Sequence, residues 1–311
     1  MSKKRFNERV LAGLLEHYCQ TQNWLLSHRC LAGQKNYKKF VVVCNIRTGS
    51  TMLGSMLASH PQTVCFFELF HRHLESIPFG VPGYRKKSTS SRVVNLRNND
   101  PVEFLKSEVY GFHKVGIKAV GFKLLYPQAR RGSPWWNSSD FDRWWKKVGY
   151  EPNWDGAKSD LWEYLRNDRS IAIIHLKREN LLRSKVSAIT AQSTGEWGVG
   201  ATGGFSGVAT RPKFALDFNE CLQDFEAHRR MENETDQLFS KHKKLDLTYE
   251  QLISNPVDVG REIQAFLSLD IKPLKAKTKK QASRELFEVV SNYEQLKKKF
   301  SSTSWHYLFN D

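Results

Sequence analysis

Phe40-Val41-Val42-Val43-Cys44-Asn45-Ile46-Arg47-Thr48-Gly49-Ser50-Thr51 sets the architecture of this chain. The run Phe40 to Cys44 is short, wholly apolar and β-branched at its centre, the composition of a strand covered on both faces. Lys38-Lys39 opens it and Asn45 stops it. A helix is predicted from Thr48 to Ser59, with Met52, Leu53, Met56 and Leu57 as its apolar residues and His60-Pro61 as its end. A buried strand running into a Gly- and hydroxyl-bearing loop at a helix start offers free backbone N–H groups and a positive helix end to an anion. Gly49 permits close backbone approach, and Ser50 and Thr51 add hydroxyls. Arg47 adds a planar fork for phosphate or sulfate oxygens. On spacing alone a Ser or Thr here serves equally well as a simple helix cap. The loop is not a Gly-x-x-x-x-Gly-Lys-Ser/Thr phosphate loop, because no Lys follows the Gly.

Working outward, three further strands are expected: within Val115 to Tyr126, within Ser170 to Leu176, and at Leu245 to Tyr249. The stretches between them are far too long for hairpins. Strands alternating with helices imply parallel pairing through right-handed crossovers. The expected fold class is therefore α/β, a P-loop-like parallel β-sheet flanked by helices on both faces. Helices are expected over 5–29, 101–109, 140–148, 159–167, 179–192, 214–240, 249–268 and 284–300. Val10, Leu14, Tyr18, Trp24 and Leu25 mark the first as amphipathic, so residues 1–37 form an N-terminal helical extension to one domain over 38–311. The Gly-rich stretch 193–212 is either a cover over a site or a disordered surface loop.

A chain of 311 residues with 40% hydrophobic content supports one large core without staples. Net charge is +16, which attracts phosphorylated ligands, polyanions or anionic membrane surfaces and says nothing of fold. Cys19, Cys30, Cys44, Cys65 and Cys221 are scattered and odd in number, against a disulfide framework or a zinc site and in keeping with a reducing compartment. No run approaches a membrane span. A cytoplasmic protein with no metal is the expectation.

Two motifs read together carry a family resemblance. Arg47-Thr48-Gly49-Ser50-Thr51 resembles the 5′-phosphosulfate loop of sulfotransferases that use 3′-phosphoadenosine 5′-phosphosulfate (PAPS), closest to the bacterial carbohydrate branch of trehalose and Nod-factor type. His175-Leu176-Lys177-Arg178-Glu179-Asn180, followed by Ser187 and Gln192 to Trp197, is similar to the family's 3′-phosphate segment. Gly121-Phe122-Lys123-Leu124, Leu247 to Leu252 with Asn255-Pro256, and Lys279-Lys280-Gln281 with Val290 to Tyr293 and Trp305 are softer matches, so the resemblance spans roughly 38–309.

The resemblance implies sulfuryl transfer from PAPS, as co-substrate, to a hydroxyl of a carbohydrate or other small molecule. Arg47, Thr48, Gly49, Ser50 and Thr51 would hold the phosphosulfate, Arg178 and Ser187 the 3′-phosphate, and Lys279 and Lys280 the 3′-phosphate or adenine. The animal enzymes' Arg-Lys-Gly triplet is absent. Glu68 is the expected general base, with His71 and His73 as rivals. Its apolar neighbours would raise its pKa and Arg47 nearby would oppose this. Lys123 either contacts the sulfate or leaving oxygen or reaches solvent from a strand end. Trp135, Trp136, Trp144, Trp145, Trp154 and Trp162 supply either core or sugar-stacking faces. A P-loop kinase would need a Mg²⁺-holding carboxylate where Lys177-Arg178 stands, and a basic polyanion-binding module would carry a nucleic-acid signature that is not evident. The acceptor and the oligomeric state are not legible.

Overall fold

The computed structural model describes residues 3–71, 75–129, 160–194, 213–276 and 284–310. Five strands, β1 Lys38–Cys44, β2 Thr63–Glu68, β3 Ala119–Leu125, β4 Ala172–Lys177 and β5 Lys244–Thr248, form one sheet in the order β2-β3-β1-β4-β5. Every neighbouring pair is parallel. β1 is central because Phe40 to Cys44 has no polar side to show water: all five residues are buried. Val41 sits opposite Phe122 on one side and Ile173 on the other.

The two sheet faces hold separate apolar clusters. Val41, Val43, Phe122 and Leu124 pack with Phe104, Trp162 and Phe239, while Phe40, Val42 and Cys44 pack with Leu53, Met56, Leu57, Leu252 and Ile263. Helices on both faces line these clusters: α2 Ser50–Ala58, α3 Ser91–Asn99, α4 Asp160–Asn167, α6 Phe218–Leu238, α7 Tyr249–Ser254 and α8 Pro256–Phe266, whereas α1 Lys3–Ser27, α5 Leu181–Thr194 and α9 Tyr293–Phe300 add no residue to either. Each fully buried Leu, Val or Phe contributes about 1.5–3 kcal/mol, so the central strand and its two coats dominate stability. A third cluster ties α5, α6 and α9 to the chain's end through Leu182, Phe225, Phe300 and Trp305.

The α/β expectation holds, with particular departures. β2 is not among the expected strands, although Thr63-Val64-Cys65-Phe66 is β-branched and aromatic in the manner of one. The expected 249–268 helix is two, because Pro256 cannot continue α7 and instead opens α8. The expected 284–300 helix is also broken, into Leu286–Val289 and α9, with Val290 bridging to Phe214 between them. Over 101–109 an α-helical turn passes into a π-helix at Leu105–Val109. Helix α3 was not anticipated. The 140–148 helix, the Trp residues of 135–154, and positions 195–212 of the Gly-rich stretch lie outside the described residues. No helix among the described residues is long and apolar enough to cross a membrane.

The topology fixes where chemistry can occur. From β1 the chain crosses to β2 at one edge, whereas from β4 it runs to β5 at the other. The carboxyl ends of β1 and β4 therefore flank a switch point, the place where open α/β sheets take ligands.

Gly121 has a packing reason. A Cβ there would stand 2.2 Å from the Phe40 carbonyl oxygen and 2.5 Å from its ring, backbone that cannot yield without moving β1. Gly121→Ala is expected to lower stability by about 1–3 kcal/mol, read as a lower urea midpoint; an unchanged midpoint would refute the tight β1–β3 contact.

Candidate active site at the switch point

The loop after β1 is built by local hydrogen bonds. Asn45 Oδ1 accepts from the Ile46 N–H at 2.8 Å, and Thr48 Oγ1 donates to the Asn45 carbonyl at 2.8 Å. Thr48 is thereby occupied in shaping the turn. Arg47 adopts φ 59 and Gly49 φ 81, left-handed conformations that cost an L-residue roughly 1–2 kcal/mol. Gly49 is the N-cap of α2, and no side chain caps the helix. The capping role that Ser50 or Thr51 offered in sequence is thus not taken: Ser50 is buried in the first turn and Thr51 is exposed. The helix start keeps amide donors for a ligand.

Arg47 and the β4 exit meet directly. Arg47 Nε donates to Ser187 Oγ at 2.9 Å, and Arg178 NH1 donates to the Arg47 carbonyl at 2.7 Å. The left-handed turn at Arg47 directs that carbonyl to Arg178. The Arg178 guanidinium lies 4.4 Å from the Tyr249 ring centre, a cation–π contact. Among the described residues its Nε is buried without a hydrogen-bond partner, 4.0 Å from Glu250 Oε1. Burial lowers the pKa of both arginines, the expected result of holding two cations in a crevice where an anion would relieve them. Two residues named for different phosphates, Arg47 and Ser187, are one hydrogen-bonded unit.

A third wall comes from the β5–α7 junction. Thr248 and Gln251 form a capping box that fixes the next residues. Tyr249 stacks under Arg178, and its ring would stand 2.6 Å from a Cβ at Gly49. Glu250 accepts from the Glu179 and Asn180 N–H groups at 3.0 and 3.3 Å, closing the start of α5. The sequence signalled this junction only as a soft match and gave Tyr249 and Glu250 no role.

Glu68 ends β2 beside a bulge, in register with Lys123 of β3. Lys123 Nζ lies 2.6 Å from Glu68 Oε1, and Gln128 Nε2 donates to Oε2 at 3.0 Å. Burial pushes the carboxyl pKa up, but Lys123, His71 and Gln128 together bring it below the usual glutamate value. The opposing cation is thus Lys123, where Arg47 had been expected. Nor does Lys123 reach solvent; it is 4% exposed. Gln128 is fixed because its Oε1 accepts from the Leu125 N–H and its backbone carbonyl accepts from Trp162 Nε1, which gives Trp162 a structural place. Buried Arg97 donates to the Leu69 and Ser76 carbonyls at 3.2 and 3.0 Å and so pins the loop after Glu68. His71 lies near enough to act on Glu68 electrostatically; His73, Lys279 and Lys280 lie outside the described residues.

Among the described residues, His175, Asp236 and Asp246 gather their ligand atoms within 4.8 Å. Lysines already supply the positive charge there. Lys177 Nζ is 2.7 Å from Asp236 and 3.2 Å from Asp246, and Lys244 Nζ 2.5 and 3.0 Å. The cluster braces β4 against β5 and α6.

Residues 165–295 match the family model of the Stf0 sulphotransferases. The matched part is that of a sulfotransferase enzyme. It holds β4, Arg178, Ser187, α6 and the Tyr249–Glu250 junction; Arg47, Glu68 and Lys123 lie before it. A solved structure, the sulfotransferase from Alicyclobacillus acidocaldarius, is similar at 14% identity and a TM-score of 0.40, over 84% of this chain and 90% of that one. No curated protein matches.

Beneath the loop, His228 receives the Asn45 side-chain amide at 3.2 Å. Burial first, then Arg229, Arg178 and His175, lower its pKa to about 3. A base whose folded pKa is depressed binds its proton more readily when unfolded. Its stabilising effect is therefore whole above pH ~6.5 and is lost as pH falls toward the folded value. By pH 5 the loss should reach about 2 kcal/mol. Urea melts at pH 7 and pH 5 should show a smaller difference in His228→Gln than in the wild type; equal differences would refute a neutral buried His228.

Proposed function

We propose that this chain moves a sulfuryl group from PAPS, as co-substrate, to a hydroxyl of a carbohydrate or other small-molecule acceptor. The observation that carries the reading is the convergence at the switch point of two arginines, buried Arg178 and half-buried Arg47, with an uncapped helix start. Arg47 with the Thr48–Thr51 loop receives the 5′-phosphosulfate. Arg178, whose Nε has no hydrogen-bond partner among the described residues, and Ser187 receive the 3′-phosphate. Ligand oxygens would take the place of the internal bonds that Arg47 and Arg178 now make. Lys279 and Lys280 are assigned to the nucleotide on resemblance alone. The catalytic domain is assigned to 38–311 and the helical extension to 1–37, in a cytoplasmic enzyme.

In the transfer the acceptor oxygen forms a bond to sulfur while the bond from sulfur to the 5′-phosphate oxygen breaks. The acceptor's proton passes to a Glu68 oxygen. Among the described residues each carboxylate oxygen has one hydrogen-bond partner, which leaves a lone pair for the proton. Lys123 holds the carboxylate ionised and places a cation beside the reacting group, where it would stabilise sulfuryl or leaving oxygens. A carboxyl held below its ordinary pKa is a weak base that is always ready. Its acid limb in a pH–rate profile should lie below the usual glutamate range.

Adenosine 3′,5′-bisphosphate should raise the melting temperature, whereas ATP and ADP should do so less. Arg47→Ala and Arg178→Ala should each weaken bisphosphate binding by tenfold or more, measured by calorimetry. Unchanged affinity in both would remove the nucleotide assignment. Glu68→Gln should retain donor affinity and lose about 10²-fold or more in turnover; full turnover in that variant would assign the proton to another group.

A further inference from the structure

Helix α1 lies on the domain with its apolar face turned away from it. The inner side is polar and tightly seated. Glu16 accepts from the Gly83 and Arg85 N–H groups at 2.8 and 3.0 Å, and Asn23 Nδ2 donates to the Gly83 carbonyl at 3.1 Å. Gly83, at φ 86, lets the loop approach so closely that a Cβ there would stand 2.7 Å from Cys19 Cβ. Leu26 is the buried apolar anchor on this side. On the opposite arc stand Val10, Leu11, Leu14, Leu15 and Tyr18, each 45–65% exposed, a contiguous apolar strip of the kind that marks a contact surface. Trp24, Leu31, Phe112 and Val115 extend the exposed apolar surface at the far end.

Basic residues lie along this helix and on the segments beside it. Lys3, Lys4, Arg5 and Arg9 belong to the first turns of α1. Arg85 and Lys86 are exposed on the segment that α1 seats against, and exposed Lys114 acts electrostatically on Cys19. Lys35 lies 4.8 Å from the Phe112 ring centre. Of the helix's two carboxylates, Glu8 and Glu16, Glu16 is bound to the body. We propose that α1 is a docking helix for an anionic lipid bilayer surface, laying Leu11, Leu14, Leu15 and Tyr18 into the headgroup boundary with the flanking lysines and arginines on lipid phosphates.

Charge complementarity favours this occupant over a second copy of the chain, since each copy carries +16 and basic residues lie on and beside α1 itself. The pattern also fails as a helix–helix seam: Thr21 and Gln22 interrupt it between Tyr18 and Leu25, well short of the three or four heptads of a coiled coil. Tyr18 and Trp24 suit a headgroup boundary, with apolar rings and one polar atom each. The proposal rests on α1 alone and stands apart from the nucleotide site. Docking would bring the catalytic domain to acceptors carried at that surface.

Sedimentation of the full chain with vesicles of mixed phosphatidylcholine and phosphatidylserine tests it. Binding should appear with the mixed vesicles, fall with added salt, and be weak on pure phosphatidylcholine. Leu11→Glu and Leu14→Glu should each weaken it by about tenfold or more, with unchanged melting temperature and unchanged turnover of a soluble acceptor. No binding of the wild type to the mixed vesicles would overturn the proposal, as would binding that both variants retain. So would a dimer in sedimentation equilibrium that Leu14→Glu splits, because a second copy would then be the occupant.

Discussion

The donation from the Arg178 guanidinium to the Arg47 carbonyl is the contact on which the candidate site depends. It joins the exit of β1 to the exit of β4 across the switch point. A guanidinium is the suitable group for this: it is planar, remains charged when buried, and has donors left after the first is used. Tyr249 supports its face and Glu250 stands behind it. Removing it would free the Arg47 turn, the start of α5 and the Tyr249 ring together. Three distant segments are held in register by one side chain.

Much of this frame was legible in the sequence because it rests on strong local signals. Phe40 to Cys44 is too apolar to be anything but a buried strand, and Arg178 follows an equally apolar run, Ala172 to Ile174. The edge strand β2 was less visible since its residues also continue into an apolar loop, Leu69-Phe70. What the sequence hid are contacts made across the sheet. The Glu68–Lys123 pair depends on the β2–β3 register and the bulge within it, and no local pattern encodes that. Gln128, Arg97 and His228 act through backbone carbonyls or buried amides, and their sequence contexts are unremarked loop and helix. The outward apolar face of α1 is another case: periodicity marked the helix as amphipathic, but only tertiary contacts say which face the domain takes.

The Glu68–Lys123 pair also illustrates how burial and charge compete. A buried carboxyl alone would titrate high and arrive at neutral pH partly protonated. The ammonium group 2.6 Å away reverses that, and the side chains of Gln128 and Lys123 leave the carboxylate little freedom to swing. Such a carboxylate gives up proton affinity in exchange for a fixed position. Where two reacting groups must lie in line, position is the larger contributor.

The central place of β1 also governs how the chain can assemble. Val41 has its partners at Phe122 and Ile173, so both neighbours of the most apolar strand arrive late in synthesis. Until they do, Phe40 to Cys44 is an unpaired β-branched segment with two open edges, the form most prone to intermolecular pairing. Non-local pairing of this kind makes folding slow, and residues 1–118 alone cannot form the central sheet. The same strand that orders the finished enzyme is therefore its chief aggregation hazard on the ribosome, and the nascent chain is a natural client for chaperones that shield extended apolar segments.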